Sequence, residues 1–135
     1  MDAVPVGALP VVLIVEDDQA MGQMYALGLG AQGFVVEIAE TAEQAASKAR
    51  ELLPAVTLLD VGLPDGSGLD LLERLRADPL TASLPVVVFT NYNEPGMVDR
   101  SVKAGAADFL VKVETTPARV AEVVSDLLGK GAGAL

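Results

Sequence analysis

Leu58-Leu59-Asp60-Val61-Gly62-Leu63-Pro64-Asp65-Gly66-Ser67-Gly68 decides the reading of this chain. An apolar run delivers one carboxylate, Asp60, to the end of a predicted buried strand, and Gly62, Pro64, Gly66 and Gly68 stop the strand there. Asp60 is therefore expected at a mouth rather than in a core. A carboxylate at the C-terminal end of a parallel strand sits where open α/β sheets bind ligands, and it can act as a nucleophile as well as a ligand. Taken alone, Asp60 reads better as a helix N-cap or a surface-turn aspartate, so the other strand ends decide the matter.

Upstream, residues 11–15 form a continuous β-branched run, as expected for a strand covered on both faces, and it ends in Glu16-Asp17-Asp18. Helical spacing of Met21, Met24, Tyr25, Leu27 and Ala31 predicts a helix over 19–32 with Gly33 as its stop, although Gly22, Gly28 and Gly30 each cost about 1 kcal/mol against Ala. A strand follows over 34–39. Thr41 with Gln44 reads as a capping box opening a helix to about Leu52, which Pro54 ends. Downstream of Asp60, a helix is expected from Ser67 to about Ala77, with Leu69, Leu71, Leu72 and Leu75 inward. A buried strand over 85–89 runs into Thr90-Asn91. A short helix is expected from about Pro95 to Lys103, and a strand over 107–111 ends at Lys112. Thr115-Thr116-Pro117 opens a last helix to about Leu128.

Five strands alternate with five helices over short connections. That pattern predicts one α/β domain over 11–128, a doubly wound parallel sheet, with a loose leader at 1–10 and a flexible tail at 129–135. The 135 residues suit a single core. No apolar run approaches the ~20 residues of a membrane helix, and residues 1–10 lack the basic start of a secretory signal, so a cytoplasmic location is expected. With no Cys and no His, thiol and imidazole chemistry are excluded, leaving carboxylates, hydroxyls, lysines or a metal held by oxygen. A net charge of -10 disfavours direct contact with nucleic acid or an anionic membrane and suits a divalent cation or a basic protein surface.

Right-handed crossovers bring every strand's C-terminal end to one edge of the sheet. There Glu16, Asp17, Asp60, Thr90 and Lys112 are expected together. Clustered carboxylates repel unless a cation joins them, and an all-oxygen site suits Mg²⁺ or Mn²⁺. Each residue has an ordinary reading as a cap or a solvated charge. Their coincidence at four strand ends looks built to place a phosphoryl group on a carboxylate.

The runs VVLIVEDD, TLLDVGLPDGSGLDLL, VVVFTN and KAGAADFLVK resemble the receiver domain of two-component response regulators over nearly the whole chain. Thirty residues separate Asp60 from Thr90 and 22 separate Thr90 from Lys112, as is usual in that family. The resemblance implies a flavodoxin-like fold with strand order 2-1-3-4-5. It implies that Asp60 is the phosphoacceptor, that Asp17, Asp60 and the Gly62 carbonyl bind the metal, and that Glu16 holds it mainly through water. Thr90 and Lys112 would bind the phosphoryl group, Phe109 would be the aromatic switch following Thr90, and Asp18 matches no metal position. The phosphoryl donor would be a histidine kinase or phosphotransfer protein. The output would be a changed surface for a downstream protein target or for a homodimer through the fourth helix, last strand and last helix. Beyond its own phosphoryl transfer and self-dephosphorylation, no enzyme activity is implied.

Two departures stand out. Asn91 replaces the usual small residue after Thr90, with Tyr92 next. Val113 replaces the usual proline after Lys112, so a cis bond there, costing ~2.5–4 kcal/mol without proline, is not expected. A phosphorylation-independent pseudo-receiver used as an interaction platform has no need of the acidic cluster. A Mg²⁺-dependent phosphatase would carry a second carboxylate at position 62, and a flavin-binding relative would not line its phosphate loop with Glu16, Asp17 and Asp18.

Overall fold

Two apolar runs, in residues 11–15 and 86–89, set the sheet, because a strand apolar at every position is stable only with helices on both sides. The computed structural model describes residues 9–133. In it β1 (Val11–Val15), α1 (Gln19–Ala31), β2 (Val35–Ala39), α2 (Ala42–Leu52) and β3 (Val56–Leu59) are followed by a small hairpin, β4 (Gly62–Leu63) and β5 (Gly66–Ser67). Then come α3 (Gly68–Ala77), β6 (Val86–Thr90), α4 (Met97–Lys103), β7 (Asp108–Val111), a 3-10 turn at Lys112–Glu114 and α5 (Pro117–Gly133). The main sheet is ordered β2-β1-β3-β6-β7 with every neighbouring pair parallel. Setting aside the hairpin, which the sequence reading did not include, this is the expected order 2-1-3-4-5.

Alternation along each strand divides the core. Leu13, Val15, Leu59, Val86 and Val88 face Ala45, Ala46 and Ala49 of α2 and the leucines of α3. Val12, Ile14, Val56, Leu58, Val87 and Phe89 face Tyr25 and Leu29 of α1 and Val120, Val123 and Val124 of α5. Backbone pairing runs one residue past the strands, with the Glu16 amide donating to the Ala39 carbonyl at 2.9 Å and the Asp60 amide to Val15 at 3.1 Å. Both acidic residues are therefore fixed by the sheet and not by a free loop.

Local chemistry explains the helix ends. The Asp18 carboxylate accepts from the Met21 amide at 3.1 Å and caps α1, which accounts for an acidic residue that matches no metal position. Thr41 caps α2 as expected, but the Gln44 side chain accepts from the Glu40 amide, one residue before the cap, so the box is offset. The remaining N-terminal amides of α2, from Ala42 and Glu43, donate to Asp65 in the turn of the hairpin at 2.7 and 3.1 Å. The Ala42 amide leads in holding the Asp65 carboxyl below its usual range. Glycines 22, 28 and 30 all lie inside α1.

Two expected boundaries are corrected. Helix α4 begins at Met97, not Pro95, because Gly96 takes a left-handed conformation with φ 85 and turns the chain before the helix. Helix α5 continues to Gly133, five residues beyond Leu128. Its apolar face is docked on the sheet through Val120, Val123 and Val124, and packing of that kind outweighs the low helix propensity of glycine. The expected tail is thus helical to residue 133. Residues 134–135, and residues 1–8 of the expected leader, lie outside the described part. No described helix is long and apolar enough to cross a membrane.

Helix α2 ends on Leu53 in the left-handed region, φ 45 and ψ 61, with its side chain half-exposed. A left-handed residue with a Cβ costs roughly 1–2 kcal/mol, less for Asn. Leu53→Asn is expected to raise the unfolding free energy by about 0.5–1 kcal/mol, seen as a higher urea midpoint at unchanged slope.

Candidate functional site

Four parallel strands end on one edge, and each contributes a polar residue at or just beyond its last position. Glu16 follows β1, Asp60 follows β3, Thr90 closes β6 and Lys112 follows β7. All four are buried, whereas Asp17 is exposed beside them. The edge expected from the strand pattern is therefore assembled, but Asp60 lies inside it, only 7% exposed, and not in an open mouth.

The buried groups form one continuous hydrogen-bonded network. Lys112 Nζ donates to Asp60 Oδ2 at 2.7 Å and also to Glu16 Oε1. The Thr90 hydroxyl donates to Asp60 Oδ1 at 2.7 Å, and the Gly62 amide approaches the same oxygen at 3.3 Å. Behind these, the Tyr92 amide donates to Thr90 Oγ1 at 3.1 Å and the Asp18 amide to Glu16 Oε2 at 3.3 Å. The Lys112 ammonium also lies 5.9 Å from the centroid of Phe89, whose ring meets Tyr25 edge-on. Burial by itself would lower the Lys112 pKa. Its bonds to Asp60 and Glu16 outweigh that and hold it above the ordinary lysine value. Glu16 is pushed up by burial, more than its bond to Lys112 pulls it down.

Charge remains uncompensated. One oxygen each from Glu16, Asp17 and Asp60 lies within 4.8 Å of the others, and three carboxylates facing one ammonium leave an excess of negative charge. Such a set of hard oxygens fits a small divalent cation. Glu16 is also bonded directly to Lys112.

The structure brings together Glu16, Asp17, Asp60, Gly62, Thr90 and Lys112. Phe109 stands apart from the network. It is half-buried on β7, paired in register with Val88, and packs against the core on the α2–α3 side. Since Thr90 is two residues beyond Val88, Phe109 and Thr90 occupy the same face of the sheet one rung apart.

Several neighbours were not apparent as partners from sequence. A Cβ at Gly62 would lie 2.4 Å from Cε2 of Tyr92, so that ring rests against the chain two residues past Asp60. A Cβ at Gly68 would lie 2.1 Å from the Asp60 carbonyl oxygen, so the start of α3 is pressed onto the backbone of the acidic residue itself. Asn91 Oδ1 accepts from the Val113 amide at 3.0 Å, joining the two positions that depart from the family pattern. Among the described residues no peptide bond is cis, and the Lys112–Val113 bond is trans as expected. Spacing along the chain gives no signal for these contacts: Gly62–Tyr92 and Asn91–Val113 each join two different connections, and Gly68–Asp60 closes the connection between β3 and α3 on itself.

A family model described as the response regulator receiver domain matches residues 12–124. Among curated proteins, the phosphate regulon transcriptional regulatory protein PhoB of Rhizobium meliloti is 36% identical over 115 residues, covering 85% of this chain and 51% of that protein. The photosynthetic apparatus regulatory protein RegA of Rhodovulum sulfidophilum is 36% identical over 126 residues, covering 93% of this chain and 66% of that protein. The chain thus spans between half and two thirds of the length of these relatives. Among solved structures, a CheY-like response regulator receiver domain protein from Methanospirillum hungatei JF-1 superposes with a TM-score of 0.87 at 28% identity, covering 95% of this chain and 100% of that one.

The two glycines are expected to differ on substitution. Gly68→Ala forces backbone to move and costs about 1–3 kcal/mol, whereas the exposed Tyr92 ring can swing away from Gly62→Ala, which changes tyrosine fluorescence with little loss of stability. Denaturant titration read by circular dichroism and by fluorescence separates them. Glu16 supplies a pH test in metal-free buffer. Its raised folded pKa means the folded state holds that proton more tightly than the unfolded chain. The resulting contribution is full below pH 4.5 and is lost as pH rises through the folded value. The stability of the wild type relative to Glu16→Gln is expected to fall across that window.

Proposed function

Because the chain belongs to the response regulator receiver family, we propose that it takes a phosphoryl group onto Asp60 from a histidine kinase or phosphotransfer protein, with Mg²⁺ or Mn²⁺ at Glu16, Asp17, Asp60 and the Gly62 carbonyl. The observation that carries this reading is the pairing of both Asp60 oxygens with donors suited to a phosphoryl group, the Thr90 hydroxyl and the Lys112 ammonium. A carboxylate oxygen of Asp60 attacks phosphorus, and the bond to the donor's imidazole nitrogen breaks as the new P–O bond forms. When bound, the cation neutralises the developing charge on the phosphoryl oxygens. Lys112 neutralises it from the other side. Thr90 transfers its hydrogen bond from Asp60 to a phosphoryl oxygen, and Glu16, now bonded to Lys112, would be one of the carboxylates that hold the cation.

A bound phosphoryl group adds about -1.5 to -2 charge at pH 7, enough to bias a two-state element nearby. Thr90 and Phe109 share a face of the sheet, and Met97, Ala104 and Ala106 pack against the cluster that Phe109 joins. The change therefore travels from Thr90 through Phe109 to α4. Its output is a surface of α4, β7 and α5 that receives a downstream protein or a second copy of the chain. Val98 and Val102 are exposed on α4 while Met97 packs inward. We place the protein in the cytoplasm, as a signalling domain that catalyses only its own phosphoryl transfer and self-dephosphorylation. We assign it no contact with nucleic acid or membrane, in keeping with a net charge of -10.

Intact mass after incubation with acetyl phosphate and Mg²⁺ tests the reading directly. The wild type is expected to gain one phosphoryl group, and Asp60→Asn, or omission of the cation, to abolish the gain. Mg²⁺ alone is expected to raise the melting temperature, because a ligand held only by the folded state stabilises it in proportion to the logarithm of its concentration. No mass gain together with no thermal shift would move the chain to the pseudo-receiver class.

A further inference from the structure

Lys112 and Thr90 face the two oxygens of Asp60 from the ends of neighbouring strands, and the backbone ladder between those strands stops short of Lys112. The last register pair is Thr90 with Val111. Beyond it, a side chain continues the ladder, with Asn91 Oδ1 accepting from the Val113 amide at 3.0 Å. Val113 itself is 80% exposed, so its backbone N–H, and not its side chain, is what the position contributes. That N–H belongs to the 3-10 turn at Lys112–Glu114, whose first amides have no partner within the turn. Asn91 supplies one.

The two departures from the family pattern thus meet each other. A proline at 113 would present no N–H, and a small residue at 91 would present no acceptor. Together Asn91 and Val113 bracket the working residues, since Lys112 lies between Val111, held by the ladder, and Val113, held by Asn91. Thr90 is bracketed likewise, between Phe89 in the sheet and Asn91 in the clasp.

We propose that Asn91 is a positioning residue, whose side-chain bond to the Val113 amide clasps the Thr90 loop to the Lys112 loop and keeps both donors on Asp60. The proposal rests on the phosphoacceptor reading of Asp60 for its effect on rates, but the clasp itself is observable without phosphorylation. A loosened clasp lets Lys112 and Thr90 drift from the geometry that both gain and loss of the phosphoryl group use. Both rates then fall together. A residue that merely shields the phosphoryl group from water has the opposite signature, since trimming it would speed hydrolysis and leave labelling unchanged.

The test uses the whole chain and the variants Asn91→Ala and Asn91→Asp, the second of which keeps an oxygen at the same place. Without any phosphodonor, hydrogen exchange at the Val113 amide and the NMR signal of the buried Lys112 ammonium are compared. Asn91→Ala is expected to speed Val113 exchange by about two- to tenfold, the equivalent of one neutral hydrogen bond, and to broaden or shift the Lys112 signal, while Asn91→Asp preserves both. With acetyl phosphate and Mg²⁺, Asn91→Ala is expected to slow labelling of Asp60 and loss of the label by a similar factor, while the melting temperature falls by no more than the few degrees that one hydrogen bond accounts for. Unchanged Val113 exchange and Lys112 signal in Asn91→Ala would overturn the clasp, as would a shortened phosphoryl lifetime at unchanged labelling rate. A wild type that takes no label removes the phosphoacceptor reading, and the exchange comparison alone then upholds or overturns the clasp.

Discussion

One ammonium group between two buried carboxylates organises this molecule. Lys112 reaches Asp60 across 52 residues and Glu16 across 96, so the last strand is tied to the first and the third by charge as well as by the sheet. Removing one member of a buried charge set costs about 3–5 kcal/mol, because the others are left without compensation. The arrangement is poor economy for a fold that needed only stability, since apolar side chains would fill the same space without desolvation. Its excess negative charge makes sense as a receptacle for something cationic or for a group that brings a cation with it.

Much of this was legible in the chain because buried parallel strands announce themselves. The runs at 11–15 and 86–89 carry apolar residues at every position, and a polar residue directly after such a run has nowhere to go but the sheet's C-terminal edge. That logic places Glu16, Asp60, Thr90 and Lys112 at one edge. What the sequence hid were contacts between loops. The hairpin of Gly62–Leu63 and Gly66–Ser67 is too short to show a period, and the bond from the Val113 amide to Asn91 joins positions 22 residues apart. Helix ends depart from local preference where tertiary contact overrides it, as at Gly129, through which α5 passes because its valines are docked on the sheet.

Asp18 and Asp17 show how neighbouring identical residues separate into different work. Asp18 turns its carboxylate to the Met21 amide in the first turn of α1, which caps the helix and directs that charge away from the acidic cluster. Asp17, one residue earlier, is left exposed with an oxygen within reach of Glu16 and Asp60. The cap thereby sets how many carboxylates the cluster holds.

The bond from the start of α2 to Asp65 gives the acidic edge a mechanical asymmetry. On that flank the turn beyond Asp60 is pinned to a capped helix of 11 residues, and Gly68 presses α3 onto the Asp60 carbonyl. On the opposite flank stands α4, with seven residues, no side-chain cap and exposed ion pairs from Arg100 to Asp70 and Glu73 as its tether to α3. A push at Asp60 therefore meets a clamped wall on one side and a sprung door on the other. The α2 flank is thus the more firmly fixed of the two, and α4 is the element that the fewest local bonds hold in place.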